Sequence, residues 1–167
     1  SSTTATLVMG DAIAVSLMSL NNFTSDDFAM SHPSGSLGRR LLTLVSSIMK
    51  SGEDIPKVTK EMLLIDSLLV MSEKALGMVL IAENEKLVGI FTDGDLRRAL
   101  ESNVDFQKLT IQDVMTKDCK SIEPQEPALI AMQLMEKYSL NSLPVVDSSN
   151  NIVGAINMHT LIQAKLF

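Results

Sequence analysis

Residues 45–102 and 111–167 carry one pattern written twice, at an offset of 65 to 66 positions: Ile48-Met49 recurs as Val114-Met115, and Val88-Gly89-Ile90-Phe91 as Val153-Gly154-Ala155-Ile156. No other feature limits the fold as strongly. A unit of roughly sixty residues is marginal alone, because it buries too small a share of its surface. Packed on a copy of itself it gains a common core, and the seam between copies becomes a natural place for a ligand. Residues 1–42 belong to neither copy.

Hydrophobic spacing gives each copy the same order of elements. In the first, Met62–Leu76 has helical period, Met78–Ala82 reads as a strand, Asn84-Glu85 as a turn and Lys86–Phe91 as a returning strand, with a helix from Asp93 or Gly94. In the second, Glu126–Tyr138 is helical with Pro127 suited to its first turn. Strands at Leu143–Val146 and Ile152–Ile156 flank the turn residues Ser148-Ser149-Asn150-Asn151, and Thr160–Leu166 closes the unit. The expected architecture is α/β: strand-helix-strand-strand-helix twice, related by a pseudo-twofold axis, with two small sheets facing each other under their helices.

The N-terminal segment has its own character. Ser1-Ser2-Thr3-Thr4 offers helix caps, and Ala5–Leu20 is apolar on nearly every face apart from Thr6, Asp11, Ser16 and Ser19. Such a helix calls for burial all round. Asp11 and the shortness of the run favour a core helix of a larger domain over a membrane span. No basic stretch or cleavage pattern precedes it, so a signal peptide is not expected. The expectation is that the chain is the C-terminal piece of a longer, cytoplasmic protein, with the helix covered by chain outside this sequence or by a neighbouring subunit.

Charge and cysteine content narrow the partners. A net charge of -6 disfavours nucleic acid. A single cysteine, Cys119, rules out an internal disulfide and a cysteine-based metal cluster, and no Cys/His/carboxylate set has metal-ligand spacing. The 11 methionines read as adaptable packing.

Ser31-His32-Pro33-Ser34-Gly35-Ser36-Leu37-Gly38-Arg39-Arg40 follows, with glycines for unusual backbone conformations and paired arginines suited to a phosphorylated substrate. Together with Ser1–Leu7, Gly10-Asp11-Ala12 and Gly89-Ile90-Phe91-Thr92-Asp93-Gly94-Asp95-Leu96-Arg97-Arg98, this segment resembles the D-arabinose 5-phosphate isomerases. That resemblance covers the whole chain. It implies that residues 1–42 are the C-terminal end of a sugar isomerase domain, and that 45–102 and 111–167 are tandem cystathionine beta-synthase type repeats, a pair known as CBS domains. It also implies an aldose-ketose isomerisation between D-ribulose 5-phosphate and D-arabinose 5-phosphate through an enediol, with no cofactor. His32 falls at the family's active-site histidine and is expected to open the sugar ring or transfer protons. Ser34 stands where a second glycine is common in the family.

The same resemblance gives the repeats a role. Thr92 and Asp95 lie at a strand end and helix start, where free backbone N–H groups favour an anion, and Arg97 and Arg98 follow within a turn. In repeats of this kind the threonine meets phosphate and the aspartate meets ribose hydroxyls. The competing reading of a T-x-x-D pair is a helix cap. In the second copy Asn157 replaces the threonine and Thr160 the aspartate, so ligand binding is expected at the first copy. The expected ligands are the cytidine monophosphate conjugate of Kdo, the acid sugar made from arabinose 5-phosphate, or an adenine nucleotide. The alternative is a purely architectural pair that supports a homodimer or homotetramer.

Overall fold

The computed structural model describes residues 2–24, 27, 41–101 and 105–165. The chain divides into two units, Ser1–Leu42 and Thr43–Phe167.

In the first unit the described structure is helix α1, Ser2–Leu20. Two of its hydroxyls bond back to the preceding turn: Thr6 Oγ1 donates to Ser2 O at 3.1 Å and Ser16 Oγ to Ala12 O at 2.8 Å. The helix stops at Leu20, and Asn22, with a φ of 50°, turns the chain out of it. None of its residues is buried, and Leu7, Val8, Met9 and Val15 are all largely exposed. The all-round burial expected from its composition is therefore not supplied within this structure. By length and composition α1 is also apolar enough to cross a bilayer, a test that the core helix of a soluble protein passes equally.

The second unit contains both repeats. The first runs β1 (Lys57–Thr59), α2 (Leu64–Lys74), β2 (Met78–Glu83), β3 (Lys86–Thr92) and α3 (Asp93–Glu101). The second runs α4 (Ala128–Tyr138), β4 (Ser142–Val146), β5 (Ile152–Asn157) and α5 (Met158–Gln163). Strands β2 and β3 form an antiparallel hairpin across Asn84 and Glu85, both at positive φ as a two-residue primed turn demands. β1 lies parallel to β2, giving a three-stranded sheet, whereas β4 and β5 form a sheet of two.

The second repeat therefore lacks the opening strand expected of it. Its remnant is one parallel bridge, Ile122 with Val145, the counterpart of Val58 with Ile81. The cause is covalent. In the first repeat Leu80 N–H donates to Pro56 O at 2.7 Å, but the residue at the Leu80 position of the second repeat is Pro144, which has no N–H to give. Pro127, placed by sequence in the first turn of α4, sits just outside as its N-cap residue.

Among the described residues three clusters make the core, and their membership shows how the repeats interlock. Val45 packs with Ala128, Ala131, Met135, Leu143, Ile156 and Leu161 of the second repeat, while Ile111 packs with Leu64, Met71, Val79 and Phe91 of the first. Each repeat thus sends its lead-in segment into the other. Backbone pairing follows the same exchange: Ile90 and Thr116 trade N–H···O bonds of 2.9 and 2.8 Å, and Ala155 and Lys50 trade bonds of 3.0 and 2.9 Å. The third cluster joins the two sheets, with Met78, Leu80 and Ile90 facing Val146, Ile152 and Ala155 and the half-buried Cys119 packed against them. Burial pushes the Cys119 thiol above its usual pKa.

Candidate functional site

Strand β3 ends at Thr92 and α3 begins at once, so the first turn of the helix is held by the residue that closes the strand. Thr92 N–H and Oγ1 both donate to Asp95 Oδ2, at 2.8 and 2.6 Å, and Asp95 N–H returns to Thr92 Oγ1 at 3.3 Å. This is a reciprocal helix cap. The same T-x-x-D geometry recurs at Thr24 and Asp27, with bonds of 2.8 and 2.7 Å, and at Thr110 and Asp113, with bonds of 2.9 and 2.7 Å. Capping is thus a general use of the motif in this chain.

What separates Asp95 from the other two is its surroundings. Asp95 is 7% exposed, whereas Asp113 is at the surface. Its second oxygen, Oδ1, accepts from Thr116 Oγ1 at 3.0 Å and from the Arg98 guanidinium. Burial pushes the Asp95 carboxyl upward, but the donors on Thr92, Arg98 and Thr116 outweigh it and hold the group below the usual carboxylate range. A folded carboxyl held below its unfolded value adds stability in full above the unfolded pKa, about 4, and loses it as pH falls through the folded value. Replacing Asp95 by Asn should therefore flatten the acid limb of the stability curve below pH about 4. Urea midpoints measured across that range check this, and a limb as steep as that of the parent chain would contradict it.

Thr92 and Arg98 line a cleft of about 250 Å³ together with Gly77, Ile90, Asp93 and Gly94 of the first repeat and Ser139, Leu140, Asn141 and Ser142 of the second. The second repeat presents these residues because α4 ends at Ser139 in a left-handed turn, φ 53°, before β4 starts at Ser142. The cleft is lined by both copies and mixes hydroxyl, amide, carboxylate and guanidinium groups with the apolar Ile90 and Leu140. Asp93 and Asp95 occupy the first turn of α3, so an anion there relies on Arg98 to offset two carboxylates.

The sequence-derived residues are thus placed unequally. Thr92 and Arg98 face the cleft, Asp95 sits behind it in internal hydrogen bonds, and Arg97 is exposed and outside its lining. His32 lies outside the described residues. In the second repeat Asn157 Oδ1 accepts from Thr160 N–H at 3.0 Å and Thr160 Oγ1 at 2.8 Å, the same latch with donor and acceptor exchanged. Sequence reasoning missed Thr116 and the Ser139–Ser142 segment. The repeat offset carried a signal for the first, since Thr116 follows Val114-Met115 as Lys50 follows Ile48-Met49.

Comparison with known proteins matches the CBS domain to residues 45–102 and 111–166. Arabinose 5-phosphate isomerase KdsD of Francisella tularensis is 49% identical over 99% of this chain and 51% of its own length. The KdsD proteins of Pseudomonas aeruginosa and Escherichia coli K12 are 48% and 47% identical over 98% of this chain and 51% and 50% of theirs. The chain spans about half the length of these relatives. Among solved structures, the CBS domain pair of protein MJ0100 in complex with 5′-methylthioadenosine and S-adenosyl-L-methionine is 25% identical, with a TM-score of 0.65 over 72% of this chain and 94% of that one. CBSX2 in complex with AMP shares the fold, with a TM-score of 0.63 at 22% identity over 74% of this chain and 96% of that one.

Proposed function

Because this chain belongs to the CBS domain family, we propose that its repeat pair is a ribonucleotide-sensing module of an arabinose 5-phosphate isomerase. The observation that carries this reading is the cleft between the copies, where Thr92 and Arg98 meet Ser139–Ser142 and Asp95 stands directly behind. A helix start, a hydroxyl, a guanidinium and an aspartate suit a ligand bearing both a diol and a phosphate. The solved pair of MJ0100 carries adenosine compounds, which supports an adenine nucleotide. The cytidine conjugate of Kdo offers the same ribose phosphate and an added carboxylate, and as an end product it is the natural feedback signal.

In the longer protein the isomerase interconverts D-ribulose 5-phosphate and D-arabinose 5-phosphate in the cytoplasm for Kdo synthesis, as a homodimer or homotetramer. Residues 1–42 end its sugar isomerase domain and His32 handles ring opening or proton transfer. Its carboxylate and lysine partners would lie upstream, in the half of the protein that this chain does not span. The 167-residue chain alone should accordingly show no arabinose 5-phosphate turnover. A coupled assay on the chain and on a full-length relative, with and without AMP or CMP-Kdo, tests both statements. Turnover by the chain alone would overturn the division of labour, and a full-length rate unmoved by either ligand would overturn the sensing role.

A second reading has its own support. The four donors on Asp95 are all supplied by the chain, as a purely architectural helix cap requires. In that case the pair serves subunit assembly and binds nothing.

A further inference from the structure

A carboxylate offers about four lone-pair positions, two on each oxygen. On Asp95 all are occupied: Oδ2 by Thr92 N–H and Oγ1, Oδ1 by Arg98 and Thr116. The Thr92 pair belongs to the cap and comes from the same turn of chain. On Oδ1, Arg98 is also local, three residues on along α3, but Thr116 differs in kind. Thr116 lies 21 residues away, in the lead-in of the second repeat, and its backbone is paired with Ile90 on the strand that leads to Thr92. At the related junction Lys50 and Ala155 pair through their backbones, while Asn157 and Thr160 close on each other.

We infer that Thr116 and Arg98 form an internal latch on Asp95 Oδ1 which a ligand must displace, making Thr116 an affinity-determining residue of the cleft. This rests on the reading of the cleft as a ribonucleotide site. A ribose diol reaching Asp95 has no vacant acceptor position until Oδ1 is released. Arg98 lines the cleft, so once released it is placed to meet the ligand's phosphate. Thr116 gains nothing comparable. Its hydroxyl stabilises the unliganded state, and breaking its bond loosens a side-chain link between the two repeats. Occupancy of the cleft is thereby tied to the junction of the copies through one hydroxyl, a two-position element that ligand binding biases.

The test is the affinity of the 167-residue chain for AMP and for CMP-Kdo by calorimetry, in the parent and in Thr116→Val. Valine keeps the shape and removes the donor. The latch predicts tighter binding by the variant, on the order of tenfold, which corresponds to ~1.4 kcal/mol. A variant that binds where the parent does not supports the latch equally, the latch then being strong enough to outcompete the ligand. Equal or weaker binding by the variant, with the parent binding, overturns the latch and leaves the ribonucleotide site standing. Binding by neither protein removes both. A matching far-ultraviolet spectrum and urea midpoint show that the variant is folded, and Thr116→Ser, which keeps the hydroxyl, should restore the parent affinity.

Discussion

Gly154→Val should destabilise the repeat pair by about 1–3 kcal/mol, the range for forcing bulk into a closed packing site. A Cβ on Gly154 would overlap Met49 Sδ and come within 3.0 Å of the Lys50 carbonyl oxygen. The sulfur ends a flexible side chain and can turn aside. The carbonyl cannot, because it accepts the Ala155 N–H at 3.0 Å and so fixes the exchanged lead-in against β5. Gly89 meets the same pair in the other copy, Met115 Sδ at 2.7 Å and the Thr116 carbonyl at 3.0 Å, so Gly89→Val should cost a similar amount. Thermal unfolding reads the effect as a fall of roughly 2–4 °C per kcal/mol. Adding Met49→Ala to Gly154→Val should recover part of the loss at most. Full recovery would mean that the lead-in does not hold the strand, and a neutral Gly154→Val would contradict the exchange of lead-ins.

Asp95→Ala has the largest expected effect on binding. If a ribose diol makes two charge-assisted hydrogen bonds to this carboxylate, at about 1.5–3 kcal/mol each, its removal weakens the ligand by about a hundredfold or more. The fold should tolerate the change better. The cap contributes on the order of 1 kcal/mol, and Thr92, Thr116 and the largely exposed Arg98 can turn to water once their acceptor is gone. Calorimetry paired with urea unfolding separates the two roles. A large loss of affinity beside a small loss of stability marks a ligand group, whereas a loss of stability with affinity unchanged marks a cap alone.

The repeats and most of their elements were readable from sequence because hydrophobic period and turn chemistry act locally. Asn84-Glu85 and the strands on either side of it stand where the apolar runs and the turn residues put them, and α2 and α4 differ from their expected bounds by a turn or less. The interlock of the copies was not readable. The spacing of Ile48-Met49 and Val114-Met115 says that these segments are equivalent, and it is silent on which copy each one packs into. The missing strand at Ile122 was legible in principle through Pro144, but only once the register pairing Leu80 with Pro56 is known. At the cleft, Thr92 and Arg98 could be picked out from the helix start they share. For Thr116 the repeat offset marked its place in the lead-in but not its bond to Asp95, which depends on a tertiary crossing between repeats.

Whether the cleft between the repeats takes a ribose phosphate is decided by the heat and thermal shift of the 167-residue chain titrated with AMP, CMP and CMP-Kdo. A ligand at about a hundred times its dissociation constant should stabilise the fold by roughly 2.7 kcal/mol. Saturable heat and a shift of several degrees are expected for at least one of the three, both lost in Asp95→Ala. No heat and no shift with any of them, at millimolar concentration, in this chain and in Thr116→Val alike, would contradict a ribose phosphate site and leave an architectural pair.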